Sequence, residues 1–343
     1  MRGKEKMNTF EILLEQMGLF VIYLLAGVIL IKTKVLSSEM LEAISRFVVK
    51  MALPILVFVN ITDGVEKETL THSVLILFIT AGFYFFMLFC GFGMTKLFHL
   101  KGDRAGLYQA MSMFGNVGFM GIPIITSIFP KNGILYISVF TIIDQFMLWT
   151  LGVKFTTPQG EGKFNPKKLV NPATVAILLA VFLVLTEIKE PRILDMGLQK
   201  IGGTASPLAM IYVGGIFASI HIGKHLKEFA LYGIVLTKMI LAPILLFVLL
   251  GFLSVSSEIQ LTMALIAGMP VMTSVVMMAN TSGSDGDYAM GGVLCLLRTI
   301  FLETTYASCS GSTPASISNF VFLRIFGAFK ASPSLSPTLP MKR

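Results

Sequence analysis

Charged side chains are scarce in this sequence. They make up 13% of its 343 residues, against about 25% in an average soluble domain. A chain with roughly half the usual surface charge cannot cover a large water-exposed surface, which argues against a soluble globular protein. Cysteine is scarce as well. Cys90, Cys295 and Cys309 form no spaced framework; two of them lie in apolar runs, so free thiols are expected and the redox compartment stays open. The motifs of common enzyme chemistry are missing: there is no Walker loop, no dinucleotide fingerprint, no HExxH and no nucleophile elbow. Pumping driven by a nucleotide bound to this chain is therefore not expected, and neither is any cofactor. His221 and His225 stand four apart, a spacing that suits metal ligands on a helix. They lack nearby acidic partners, and no metal is expected there. The net charge of +8 falls in short loops between apolar runs, where it sets topology; no nucleic-acid partner is expected.

Long apolar runs are what the chain has in abundance. It is 55% hydrophobic, with a mean hydropathy of +0.80. A hydrocarbon core about 30 Å thick takes about 20 apolar residues per helical crossing. In lipid, each backbone N–H and C=O needs a partner within the protein, which leaves helices or closed barrels. The runs are continuous and do not alternate, so a barrel is excluded. The lipid bilayer is thus the first partner, and the fold class is an all-α polytopic membrane protein. No cleavable signal peptide is expected, because the first run is full length and no small-residue cleavage site follows it.

Ten spans are expected. The first five cover about 10–31, 41–61, 73–97, 106–129 and 134–155; the second five cover about 169–186, 194–220, 229–254, 259–282 and from 288 onward. The only polar interior stretch, at 156–166, reads as a cytoplasmic linker. Gly121-Ile-Pro-Ile-Ile-Thr-Ser127 in the fourth span matches Gly268-Met-Pro-Val-Met-Thr-Ser274 in the ninth. Pro54 and Pro207 sit similarly in the second and seventh. These matches predict two five-helix repeats, 1–155 and 167–307, with an atypical last helix and a Ser/Pro-rich tail at 308–343. Five is odd, so the second repeat enters from the opposite side and the repeats are inverted. Eleven Lys and Arg flank one set of loops and four the other, which puts the first set in the cytoplasm and the amino terminus outside.

Glycine and proline in mid-span need a physical reason, since proline removes a backbone N–H and clashes with the preceding turn. Breaks survive at membrane depth where protein or a wet cavity satisfies the freed groups. Two broken helices meeting near the midplane offer helix ends to an anionic substrate. The candidate substrate residues are Asn116, Gly121, Pro123, Thr126, Ser127, Gly268, Pro270, Thr273 and Ser274, with Pro123 and Pro270 each expected to open a second half-helix. The bland alternative is a pair of proline kinks, with Ser and Thr bonding back to their own helices. Asp144 and Gln145 lie in mid-span, as does Lys238. Asp144 is a candidate proton carrier or a structural partner; Lys238 would attract a carboxylate or snorkel to the surface.

The segment Asn116-Val-Gly-Phe-Met-Gly-Ile-Pro123 resembles the auxin efflux carrier family, which includes the plant carriers and bacterial malate and malonate permease-like members. Ile44-Ser-Arg-Phe-Val with Pro54, Gln145 with Trp149, Asn171-Pro172, Pro207-Leu-Ala-Met210, and Lys238 with Pro243 agree with it in order. The similarity spans about residues 10–297, and the short linker looks like the bacterial branch. The resemblance implies a ten-helix inverted-repeat carrier with crossing, proline-broken helices four and nine at the substrate site, and a substrate role for Asn116. It admits a homodimer. The plant carriers pair an acid with a base in the third span, whereas here that span carries only Lys96.

The expected function is secondary transport of small organic anions, mono- or dicarboxylates, by alternating access across the plasma or inner membrane, with Asp144 as a candidate for proton coupling and sodium coupling or facilitated exit left open. The alternatives are a sodium-coupled symporter of the bile-acid type and a non-transporting sensor on the same fold. An intramembrane aspartyl protease would need a second embedded aspartate. After Leu297 the chain reads Arg-Thr-Ile-Phe-Leu-Glu, which is either a decayed tenth span or a broken one followed by a surface tail.

Overall fold

The computed structural model describes residues 9–65, 67, 74–129, 132–158, 171–188, 190–219, 227–253 and 255–295. Most of the expected linker, His221, His225, Cys309, the tail and the end of the tenth span lie outside these residues. Among the described residues the chain is helical, and no strand forms beyond one isolated bridge. The helices are α1 (Thr9–Lys32), α2 (Ser38–Gly64), α3 (Val74–Leu97), α4 (Gly102–Met113), α5 (Ile122–Ile128), α6 (Gly133–Thr156), α7 (Pro172–Thr186), α8 (Arg192–Ser219), α9 (Phe229–Phe252), α10 (Ser257–Ala267), α11 (Thr273–Thr281) and α12 (286–295). Five of them, α2, α3, α6, α8 and α9, are long and apolar enough to cross a membrane. The protein is an all-α membrane protein.

Prolines leave a readable trace in these helices. Pro54, Pro123 and Pro243 each follow a π turn: Val48–Ala52 in α2, Val117–Gly121 ahead of α5, and Leu236–Leu241 in α9. Proline has no N–H for the carbonyl four residues back, and its ring crowds that carbonyl. The residue before each proline bonds five residues back instead, Leu53 to Val48, Ile122 to Val117 and Ala242 to Thr237. The helix widens by one residue and continues.

Packing follows small residues and buried polar stripes. α1 lies along α8, and α7 lies along α2. At the first contact, a Cβ on Gly27 would stand 2.9 Å from the Gly215 backbone nitrogen, and one on Gly214 would stand 3.0 Å from the Leu24 Cα. Only glycine allows that approach, the usual way helices associate in lipid. α3 is apolar all round, yet it has two sides. Phe78, Phe85 and Phe89 are exposed, while Thr80, Phe83, Tyr84 and Met87 are buried against α4 and α6. The amino end of α7 is fixed by Asn171, whose side chain accepts from Ala173 and Thr174 N–H at 3.0 Å while Thr174 returns the bond. The same Asn171 donates to the Trp149 carbonyl in the π turn of α6, tying the two halves of the chain together.

The seven-residue match between 121–127 and 268–274 does not mark equivalent places in the fold. Gly268 and Pro270 belong to the break between α10 and α11, whereas Gly121 and Pro123 lie past the break that follows α4, at the junction of the π turn with α5. The motif is therefore out of register with the architecture.

Candidate functional site at the helix crossover

Two helices are unwound in mid-course, and the unwound stretches pair with each other. α4 ends at Met113, and the chain resumes a helical path at Val117. α10 ends at Ala267, and α11 starts at Thr273. Between them Gly115 and Val271 form an antiparallel bridge. The Asn116 N–H donates to the Pro270 carbonyl at 2.7 Å, and the Met272 N–H to the Phe114 carbonyl at 3.1 Å. Backbone groups freed in the buried interior thus find each other, as a low-dielectric surrounding demands. The two breaks meet through this backbone pairing, and the meeting point is the crossover.

The expected residues divide around this crossing. Asn116 is buried at the end of the first break, with φ −76° and ψ 55°. Its Oδ1 has no hydrogen-bond partner among the described residues. Thr273 and Ser274 open α11, are buried, and have hydroxyls equally unpartnered among those residues. Pro270 lies within the second break and supplies the carbonyl for Asn116; Gly268 closes α10. Thr126 instead donates to the Ile122 carbonyl at 2.8 Å, the bond back to its own helix that was the bland alternative. Pro123 does not open the second half at the break. That half starts six residues earlier, at Val117, and Pro123 is absorbed by the π turn. Pro270 does not open a half-helix either, since α11 begins three residues after it. Gly121 is buried at the π junction, and Ser127 lies on α5.

The buried charges stand beside the crossing. Lys238 is 1% exposed, so it does not snorkel. Its Nζ donates to the carbonyls of Ser112 at 3.2 Å and Met113 at 3.4 Å. These are the last carbonyls of α4, which the break leaves without helical partners, and a cation there also opposes the negative end of the helix dipole. Asp144 on α6 is also buried. It accepts from the Tyr84 hydroxyl and, at 2.8 Å, from the Gln145 amide. Its charge and that of Lys238 are close enough to interact. Tyr84 also packs against the ring of Phe114, with centroids 5.8 Å apart, which connects the carboxylate to the break.

Tyr84 was not foreseen from sequence. The third span shows no acid, and a tyrosine among its phenylalanines reads as packing. The available signal was the pair Thr80 and Tyr84, polar residues one turn apart in a helix whose other polar residues, Thr95 and Lys96, stand at its end.

A multi-spanning helical membrane protein with two unwound helices crossing over buried polar groups has the build of a transporter. Comparison with known proteins gives the family. The family described as membrane transport protein matches residues 12–166 and 161–302. The chain belongs to it, the auxin efflux carrier-like membrane transport family. It is 20% identical over 284 residues to an uncharacterized transporter of Methanocaldococcus jannaschii, covering 80% of this chain and 88% of that protein. It is 24% identical over 273 residues to the uncharacterized transporter YfdV of Escherichia coli strain K12, covering 76% of this chain and 85% of that protein. The protein is a membrane transporter.

Proposed function

We propose that the chain is a secondary carrier of small organic anions, mono- or dicarboxylates, that works by alternating access around the crossover. The observation that carries the reading is the crossing itself. Thr273 and Ser274 bring two buried hydroxyls to the start of a helix, and Asn116 ends the other break, paired with Pro270. A carboxylate accepts hydrogen bonds from hydroxyls and from an amide N–H, and gains from the positive end of the helix dipole. Hydroxyls and an amide suit a delocalised anion, and Lys238, engaged with the α4 carbonyls, keeps the frame of the site without being spent on substrate.

Ten spans in two inverted repeats complete the reading. Its support is reciprocal packing: the first helix of each half lies along the second span of the other, α1 on α8 and α7 on α2. The family match falls in two stretches that divide near residue 161. The membrane is the plasma or inner membrane, with the amino terminus outside. Asp144, held by Tyr84 and Gln145, is the group placed to take up and release a proton as the crossover changes sides. The malate and malonate carriers are the branch whose substrates fit this polarity.

Uptake of labelled malate, malonate and indole-acetate into proteoliposomes, with and without an imposed pH gradient, tests this reading. Uptake driven by the gradient and lost in Asn116→Ala is expected. Uptake driven by sodium and indifferent to pH would replace the proton with sodium. No uptake of any of the three acids by correctly inserted protein would overturn the anion reading.

A further inference from the structure

Two polar clusters outside the crossing occupy corresponding places at the outer ends of the two broken helices. In the first turn of α4, Arg104 Nε donates to Asp285 Oδ2 at 3.3 Å. One of its terminal nitrogens lies 3.7 Å from Glu228 Oε1, and its guanidinium stands 5.0 Å from the centre of the Tyr288 ring. Asp285 caps α12 by accepting from the Tyr288 N–H at 3.0 Å. In the first turn of α10, Glu258 Oε2 accepts from Asn132 Nδ2 at 2.8 Å and from the Tyr136 hydroxyl at 3.0 Å. Asn132 is the residue just before α6, and Tyr136 lies in its first turn.

The pattern is the same in both. A charged residue in the first turn of each broken helix grips the N-cap residue and a first-turn tyrosine of the helix that follows the other broken helix. The chemistry differs: one cluster works through ion pairs and a cation–π contact, the other through neutral donors on a carboxylate. Each broken helix reaches the crossing as a short free-ended segment, α4 with twelve residues and α10 with eleven. A short rod is aimed by its far end. We propose that the Arg104 and Glu258 clusters are positioning residues for the crossover, each fixing the outer end of one half-helix and hence where its inner end meets the other. This rests on the crossover being the transport site. Both clusters are formed in one structure, so neither is exchanged for the other.

Amide hydrogen exchange on the full chain in lipid nanodiscs tests this without a substrate. Arg104→Glu is expected to speed exchange of 102–113 by about fivefold to tenfold, with α7 unchanged. Adding Glu228→Arg, which returns a cation to the cluster while leaving the Asp285 cap in place, is expected to restore it. On the other side Glu258→Ala is expected to speed 257–267 alone, and Glu258→Gln, which keeps an acceptor oxygen, to stay near the parent. An equal rise in α7, failure of the second substitution to restore exchange, or no change at 257–267 in Glu258→Ala would overturn the proposal. Because the readout needs no transport, normal exchange behaviour with absent uptake would fault the carrier reading alone.

Discussion

The two broken helices make the same crossing by different means. In the first, the unwound residues are Phe114 to Asn116, the free carbonyls at Ser112 and Met113 are capped by Lys238, and the proline lies further on, inside a π turn. In the second, Pro270 is itself in the unwound stretch, and α11 starts as an ordinary helix with two hydroxyls in its first turn. The first break is held by a charge; the second is forced by a residue that cannot continue a helix. A crossing of this kind is therefore set by backbone hydrogen bonds between the two unwound stretches, and each helix reaches it by whatever local device its sequence offers.

Substitutions that break this contrast should differ in size. The largest loss is expected for Lys238→Met, which strips the cap from α4 and leaves the buried Asp144 without a nearby cation. Removing one member of a buried charged set costs about 3–5 kcal/mol, read as a lowered midpoint of thermal unfolding in detergent. The double variant with Asp144→Asn should recover part of it. Pro270→Ala should come next. It gives α10 an N–H with which to continue, and anion uptake should fall far more than in Pro123→Ala, where a π turn merely relaxes toward α. Equal losses in the two would mean that the prolines play the same part after all.

Tyr84→Phe is expected to cost about 1.5–3 kcal/mol, the worth of a hydrogen bond to a charged group, and to weaken any dependence of uptake on the pH gradient. The smallest effect on stability belongs to Ser274→Ala. Its hydroxyl has no partner among the described residues, so unfolding should shift by no more than about 0.5 kcal/mol, while the KM for anion uptake rises.

Helical class, membrane residence and the presence of two broken helices were legible in the sequence, because apolar run length and glycine and proline inside apolar runs are local signals. The exact site of the first break was not. A proline disturbs the carbonyl four residues before it, here that of Phe119, and a π turn absorbed the disturbance. Unwinding at Gly115 depends on Pro270 and Met272, partners distant in sequence. Lys238 was ambiguous for a similar reason: its burial makes sense only once the α4 carbonyls are seen to end there. Tyr84 stayed hidden because an aromatic residue in an apolar run carries no mark of the carboxylate it will meet.

The central claim is that small organic anions bind where the broken helices cross. The most direct test places a reporter cysteine there, Ser274→Cys, in protein whose Cys90, Cys295 and Cys309 are changed to alanine, and follows its labelling by a small thiol reagent. Binding at the crossing predicts that malate, malonate or indole-acetate slows the labelling in a concentration-dependent way, and that Asn116→Ala removes the protection. Labelling that none of the three anions alters would contradict the claim.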